Sequence, residues 1–131
     1  MKAVLDHVGI AVRHLAEALA FYRDALGLEE REMWVGEDDG ARGVLLDAGA
    51  ATLEVVNEAH AASIDAIEVG KRVAPKVRVA FRVDDSARAA ARLHEAGATL
   101  IAGPVVTPWQ DKNIRLEAPD GTQLTLFSVV D

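Results

Sequence analysis

The 131-residue sequence contains no cysteine. That excludes disulfides, a thiol nucleophile and cysteine-ligated zinc, and it fits a reducing, cytoplasmic setting. No apolar run is long enough to span a bilayer, so no membrane partner is expected. Met1 leads directly into a strand-like segment with a single Lys, so no signal or transit peptide is expected. The glycines form no phosphate-binding fingerprint. Basic residues are in short supply: 14 Lys and Arg against 21 Asp and Glu give a net charge of −7. A field of that sign repels phosphate backbones, so nucleic acid is not an expected partner. What remains is a chain that is 50% hydrophobic and long enough for one compact domain, or for two small modules sharing a core.

The most informative stretch is Leu5-Asp6-His7-Val8-Gly9-Ile10-Ala11-Val12. Val8, Ile10 and Val12 alternate with His7, Gly9 and Ala11, which is the period of a half-buried strand. One face is β-branched; the other is cleared of bulk around one imidazole. The chain repeats this pattern in Lys76-Val77-Arg78-Val79-Ala80-Phe81-Arg82-Val83, with Arg78 standing 71 residues after His7.

The flanking segments repeat as well. After the first strand, Leu15, Ala18, Leu19, Tyr22 and Leu26 fall at helical spacing and Gly27 supplies a stop. Segments 28–35, 41–47 and 50–56 read as strands. In the second round, Asp84-Asp85-Ser86 offers N-caps for a small-residue helix over 87–96, closed by Gly97. Segments 98–102, 112–117 and 122–129 read as strands, with a loop at 103–110. The order is β-α-β-β-β twice. The fold class is therefore α+β, with two pseudo-symmetric βαβββ modules forming a curved mixed sheet around a concave cavity. The first module is assigned to residues 1–57 and the second to 76–131. The linker, 58–75, carries a possible short helix, and its Glu58, Asp65 and Glu68 read as a solvated face.

Alternation assigns the faces. Leu53 and Val55 face a helix, leaving Thr52 and Glu54 inward. Ile114 and Leu116 face out, leaving Asn113 and Arg115 inward. Leu124 and Leu126 face out, leaving Gln123, Thr125 and Phe127 inward. The equivalent inward positions are thus His7, Glu54, Arg78 and Thr125. Polar residues on a face that a small domain would fill with Val and Leu call for an explanation.

These modules, the opening Leu-Asp-His-Val-Gly-Ile-Ala-Val, the helix end Ala-Phe-Tyr-Arg-Asp-Ala-Leu-Gly-Leu and the closing Ala-Pro-Asp-Gly-Thr-Gln-Leu-Thr-Leu-Phe resemble the vicinal oxygen chelate superfamily. It includes glyoxalase I, methylmalonyl-CoA epimerase, extradiol dioxygenases, and the fosfomycin and bleomycin resistance proteins. The resemblance implies homodimers, and metal ligands at the four equivalent positions. His7 and Glu54 match the first pair and are sound ligands for a divalent ion. Arg78 and Thr125 depart from the pattern, because a guanidinium has no lone pair to give and a threonine hydroxyl is a weak ligand. Two protein ligands rarely hold zinc, so no cofactor is expected, with a divalent metal at His7 and Glu54 as the alternative.

Other roles follow from charge. Arg78 can pair with Glu54 as a buried salt bridge, or, with Arg115, bind a carboxylate or phosphate. His7 and Glu54 are then the candidate acid/base residues. Arg78, Trp109, Asn113, Arg115, Gln123 and Thr125 are the candidate ligand-binding residues. Trp109, in a Pro-Trp loop near the expected mouth, stacks on a ligand or packs on its own domain. Trp34 and Phe127 read as core, Trp34 alternatively as dimer interface, and His14, His60 and His94 as solvated. Three functional readings stay open. The first is a metal-independent binder of a small anionic molecule. The second is a glyoxalase- or epimerase-type lyase or isomerase using metal on His7 and Glu54. The third is a metal-free acid/base enzyme.

Overall fold

The computed structural model describes residues 2–130. Eight strands form one curved, unclosed mixed sheet in the order β2-β3-β4-β1-β5-β8-β7-β6. They are β1 (Val4–Val12), β2 (Glu29–Val35), β3 (Arg42–Asp47), β4 (Thr52–Asn57), β5 (Val77–Arg82), β6 (Thr99–Val106), β7 (Asp111–Glu117) and β8 (Gln123–Val129). The three helices are α1 (Leu15–Leu19), α2 (Glu58–Glu68) and α3 (Ser86–Glu95). None is long and apolar enough to cross a membrane.

The repeat read from sequence is a repeat of register. β1 runs parallel to β4, with His7 opposite Thr52 and Gly9 opposite Glu54. β5 runs parallel to β8, with Arg78 opposite Gln123 and Ala80 opposite Thr125. Each of these residues lies 71 positions after its counterpart. The two halves meet along an antiparallel β1–β5 seam, where His7 faces Ala80 and Gly9 faces Arg78. The small residues Gly9 and Ala80 lie on that seam between the polar positions. A Cβ on Gly9 would lie 3.7 Å from Arg78 Nη2.

Each half has its own apolar core on the convex side. Leu19, Val44, Leu46 and Val55 pack with Leu15, Ala18 and Tyr22 under α1. Val83, Ala89, Ala90, Ala98, Ile114, Leu116 and Leu126 pack under α3, whose alanines let it sit close to the sheet. Each fully buried aliphatic side chain contributes about 1.5–3 kcal/mol. The Asp85 side chain caps α3 by accepting from the Arg88 N–H. Helix α1 continues as a π-helical segment over Ala20–Ala25, and Gly27, at φ +85°, ends it.

Two segments depart from the sequence expectation. The segment expected to loop from residue 103 is strand as far as Val106, because β6 continues through register shifts on either side of Ala102. Gly103 makes this possible: its φ is +105°, and a Cβ there would lie 2.7 Å from the Asn113 carbonyl oxygen. The linker helix is a full element of 11 residues. It is capped by the Asn57 side chain accepting from the His60 N–H. Its His60, Ser63, Ile64, Ile67 and Glu68 line the cavity of the sheet, so α2 lies on the concave side, opposite the cores under α1 and α3.

Candidate functional site

The concave face and α2 enclose a cavity of 680 Å³. His7, Glu54, Arg78, Trp109, Asn113 and Thr125 all line it, so six of the eight candidate residues share one wall. Arg115 and Gln123 do not. Both are buried beside the cavity in contacts with the linker.

Arg115 is 1% exposed. It donates to Asp65 at 2.9 Å, to Glu68 at 3.0 Å and to Gln123 at 3.1 Å. Gln123 in turn donates to the Val73 carbonyl. The pairing corrects the reading of Asp65 and Glu68 as a solvated face. Asp65 is 1% and Glu68 4% exposed, and only Glu58 stands in solvent, paired with Arg72. Burial raises the Asp65 carboxyl, but the Ala74 and Val73 N–H groups and Arg115 outweigh it, and the net shift is downward. The second module's inward polar residues are thus divided: one group fastens the linker and the other faces the cavity.

Arg78 belongs to the second group. The sequence allowed a salt bridge to Glu54, but the two form no ion pair. Arg78 Nη1 donates instead to the Thr125 hydroxyl at 2.9 Å, and that hydroxyl donates to Glu68 at 3.2 Å. Arg78 is 9% exposed, and among the described residues no carboxylate pairs with it. A mostly buried guanidinium with a neutral partner keeps donors free that suit a planar anion. Close by on the wall, Asn113 is 5% exposed and its Oδ1 has no hydrogen-bond partner.

Across the seam, Glu54 sits between two imidazoles. His7 Nε2 lies 3.6 Å from one carboxylate oxygen and His60 Nε2 lies 3.9 Å from the other. His7 Nδ1 lies 2.8 Å from Asp6 Oδ2, which fixes its ring and holds the Asp6 carboxyl below its ordinary range. His60 stacks on Trp34 at 5.8 Å. Its burial pushes the imidazole down from its usual value; Glu54 and Asp39 oppose this and Arg78 reinforces it. The sequence reading set His60 aside as solvated and Trp34 as core or dimer interface, yet both line the cavity; Phe127, read as core, is buried and lines it as well. The signal for His60 was present, since positions 60, 63, 64, 67 and 68 form one face of a helix.

The fold resemblance implies a divalent ion among His7, Glu54, Arg78 and Thr125. The residues present do not fit one. Arg78 brings a fixed positive charge to the third position and engages Thr125 at the fourth. Among the described residues, no three His, Asp or Glu side chains are placed to hold an ion.

The family model described as Glyoxalase/Bleomycin resistance protein/Dioxygenase superfamily matches residues 4–126. The chain belongs to that superfamily. Solved structures agree on the superfamily's fold. A hypothetical protein from Bacillus halodurans C-125 is 19% identical with a TM-score of 0.71, covering 100% of this chain and 97% of that one. Methylmalonyl-CoA epimerase from Mycobacterium tuberculosis is 24% identical with a TM-score of 0.64, covering 98% and 89%. Methylmalonyl-CoA epimerase from Streptomyces coelicolor, in complex with 2-nitronate-propionyl-CoA, is 25% identical with a TM-score of 0.64, covering 98% of each chain. No curated protein matches the chain.

Proposed function

We propose that this superfamily member binds a small organic anion in its concave cavity, a carboxylate or phosphate, without a metal ion. One observation supports the reading above the others: Arg78 is mostly buried on the cavity wall, and its hydrogen bond goes to a neutral hydroxyl. Burying an unpaired charge is costly, and a bound anion offsets that cost. The guanidinium geometry suits a planar carboxylate in bidentate contact. The apolar side chains of Ile64, Ile67 and Phe127 supply a surface for the rest of the molecule. The test is an NMR titration with benzoate and with inorganic phosphate. Benzoate should shift the Arg78 side-chain resonances, and Arg78→Gln should abolish binding. Benzoate binding unchanged in Arg78→Gln would remove the reading.

A second reading is a metal-free acid/base isomerase, and the specific observation favouring it is the His7–Glu54–His60 cluster. A base oriented by Asp6 beside a shared carboxylate has the geometry for removing a proton α to a carbonyl. Arg78 would stabilise the developing enolate. The structural likeness to methylmalonyl-CoA epimerases supplies the probe. Incubation of methylmalonyl-CoA with the protein in deuterated water, with a chelator present, should label the α-carbon. Glu54→Gln and His7→Ala should each stop the labelling. Absence of exchange in the unaltered protein would leave the binding reading alone.

A further inference from the structure

The cavity's charge does not match an anion alone. Asp6, Glu32, Asp39, Glu54, Asp111 and the Arg115-paired Glu68 face it, and Arg78 is its one guanidinium among the described residues. Some of these acids are engaged. Asp6 holds His7, Glu54 sits between imidazoles, and Asp39 accepts from the Ala41 N–H. Asp111 has no basic partner among the described residues. Two further arginines, Arg31 and Arg82, line an adjoining groove that shares Asp6, Glu32, Leu45 and Thr52 with the cavity.

Asp111 and Asn113 alternate along β7, so both face the concave side, and Trp109 precedes them on the turn that closes β6 to β7. The Asn113 amide is buried with an oxygen that accepts no hydrogen bond. An orphaned buried acceptor costs about 1–3 kcal/mol, and Asn113 carries one beside the cavity. The exposed ring of Trp109 stands at the same edge, and an indole face attracts cations. A carboxylate without a basic partner, an unsatisfied acceptor and an indole all favour one chemistry, a positively charged nitrogen bearing N–H groups.

We infer that the Trp109–Asp111–Asn113 edge is a cationic subsite, and that the ligand is a zwitterion whose amine or guanidine lies there while its anionic group lies on Arg78. The second half of this inference rests on the anion reading above. Burial and the charge of Asp6 raise the Asp111 carboxyl from its ordinary value, with Trp109 partly offsetting them. Burial is the larger cause, and the neighbouring carboxylate of Asp6, itself held by His7, adds to it. A simple anion would meet the field of the acidic wall; a zwitterion satisfies both ends.

The experiment compares three probes of one shape by NMR titration: benzoate, benzylamine and para-aminomethylbenzoate. The zwitterion should bind about tenfold more tightly than either single-charge probe. Asp111→Asn, which keeps the side-chain shape, should weaken benzylamine and the zwitterion and spare benzoate. Arg78→Gln should weaken benzoate and the zwitterion and spare benzylamine. Trp109→Ala should also weaken benzylamine. Benzylamine that fails to bind, or binds Asp111→Asn as well as the unaltered protein, overturns the cationic subsite. Benzylamine bound through Asp111 with benzoate refused overturns the anion reading at Arg78 and leaves the cationic subsite standing.

Discussion

Arg78 donates from Nη1 to the Thr125 hydroxyl over 2.9 Å, and the two residues stand where the first module carries His7 and Glu54. Symmetry makes these four positions chemically interchangeable in principle. Arg78→Gln combined with Thr125→Glu would place ligand types at all four. The double variant should bind nickel or zinc more tightly than the unaltered protein, as measured by calorimetry. A variant with no gain would show that the four side chains do not converge.

Arg115 should dominate the stability of the linker. It is the buried counter-charge to both Asp65 and Glu68. Arg115→Met keeps bulk but leaves Glu68 without its counter-charge and Asp65 with Arg72 alone. Loss of one partner from such a network costs about 3–5 kcal/mol. Urea unfolding should show that loss. A change within experimental error would mean that α2 is held by its apolar contacts alone.

His60 should make stability fall on mild acidification. Its folded-state value is depressed by burial, so the folded protein binds this proton less readily than the unfolded chain does. The stabilisation is complete above the ordinary imidazole value of about 6.5 and is lost as pH falls through the depressed folded value. His60→Gln does not titrate. It should flatten the urea midpoint between about pH 7 and pH 5, a window set by the ordinary imidazole value. A slope in that window that survives the substitution would assign it to another group.

Gly103 should resist even alanine. A Cβ there meets the Asn113 carbonyl oxygen at 2.7 Å and Ile114 Cα at 3.0 Å, both backbone atoms, and φ is +105°. Gly103→Ala should cost about 2 kcal/mol or more, read from thermal or urea unfolding. Gly49→Ala is a useful control. It has positive φ but no atom within 4 Å of the new Cβ, so it reports the backbone term alone.

The architecture was legible because strand alternation and the 71-residue spacing are local and repeated. His7 and Arg78 could be placed in equivalent registers from sequence, and they occupy them. Alternation fixes which face a side chain takes, but not what covers that face. Arg115 and Gln123 point inward as expected, yet they meet the linker, because nothing in 58–75 declares which surface α2 will dock on. The same gap hid His60. Its helix face was readable, but its neighbours Glu54 and Trp34 come from other strands.

The β1–β5 seam lies within a single polypeptide. His7 and Glu54 come from one side of it and Arg78, Asn113 and Thr125 from the other, all on the same continuous sheet. These wall residues are therefore delivered by one chain. Occupancy should depend on the ligand's concentration and not on the protein's, so dilution that separates any assembled copies should leave the binding curve where it was.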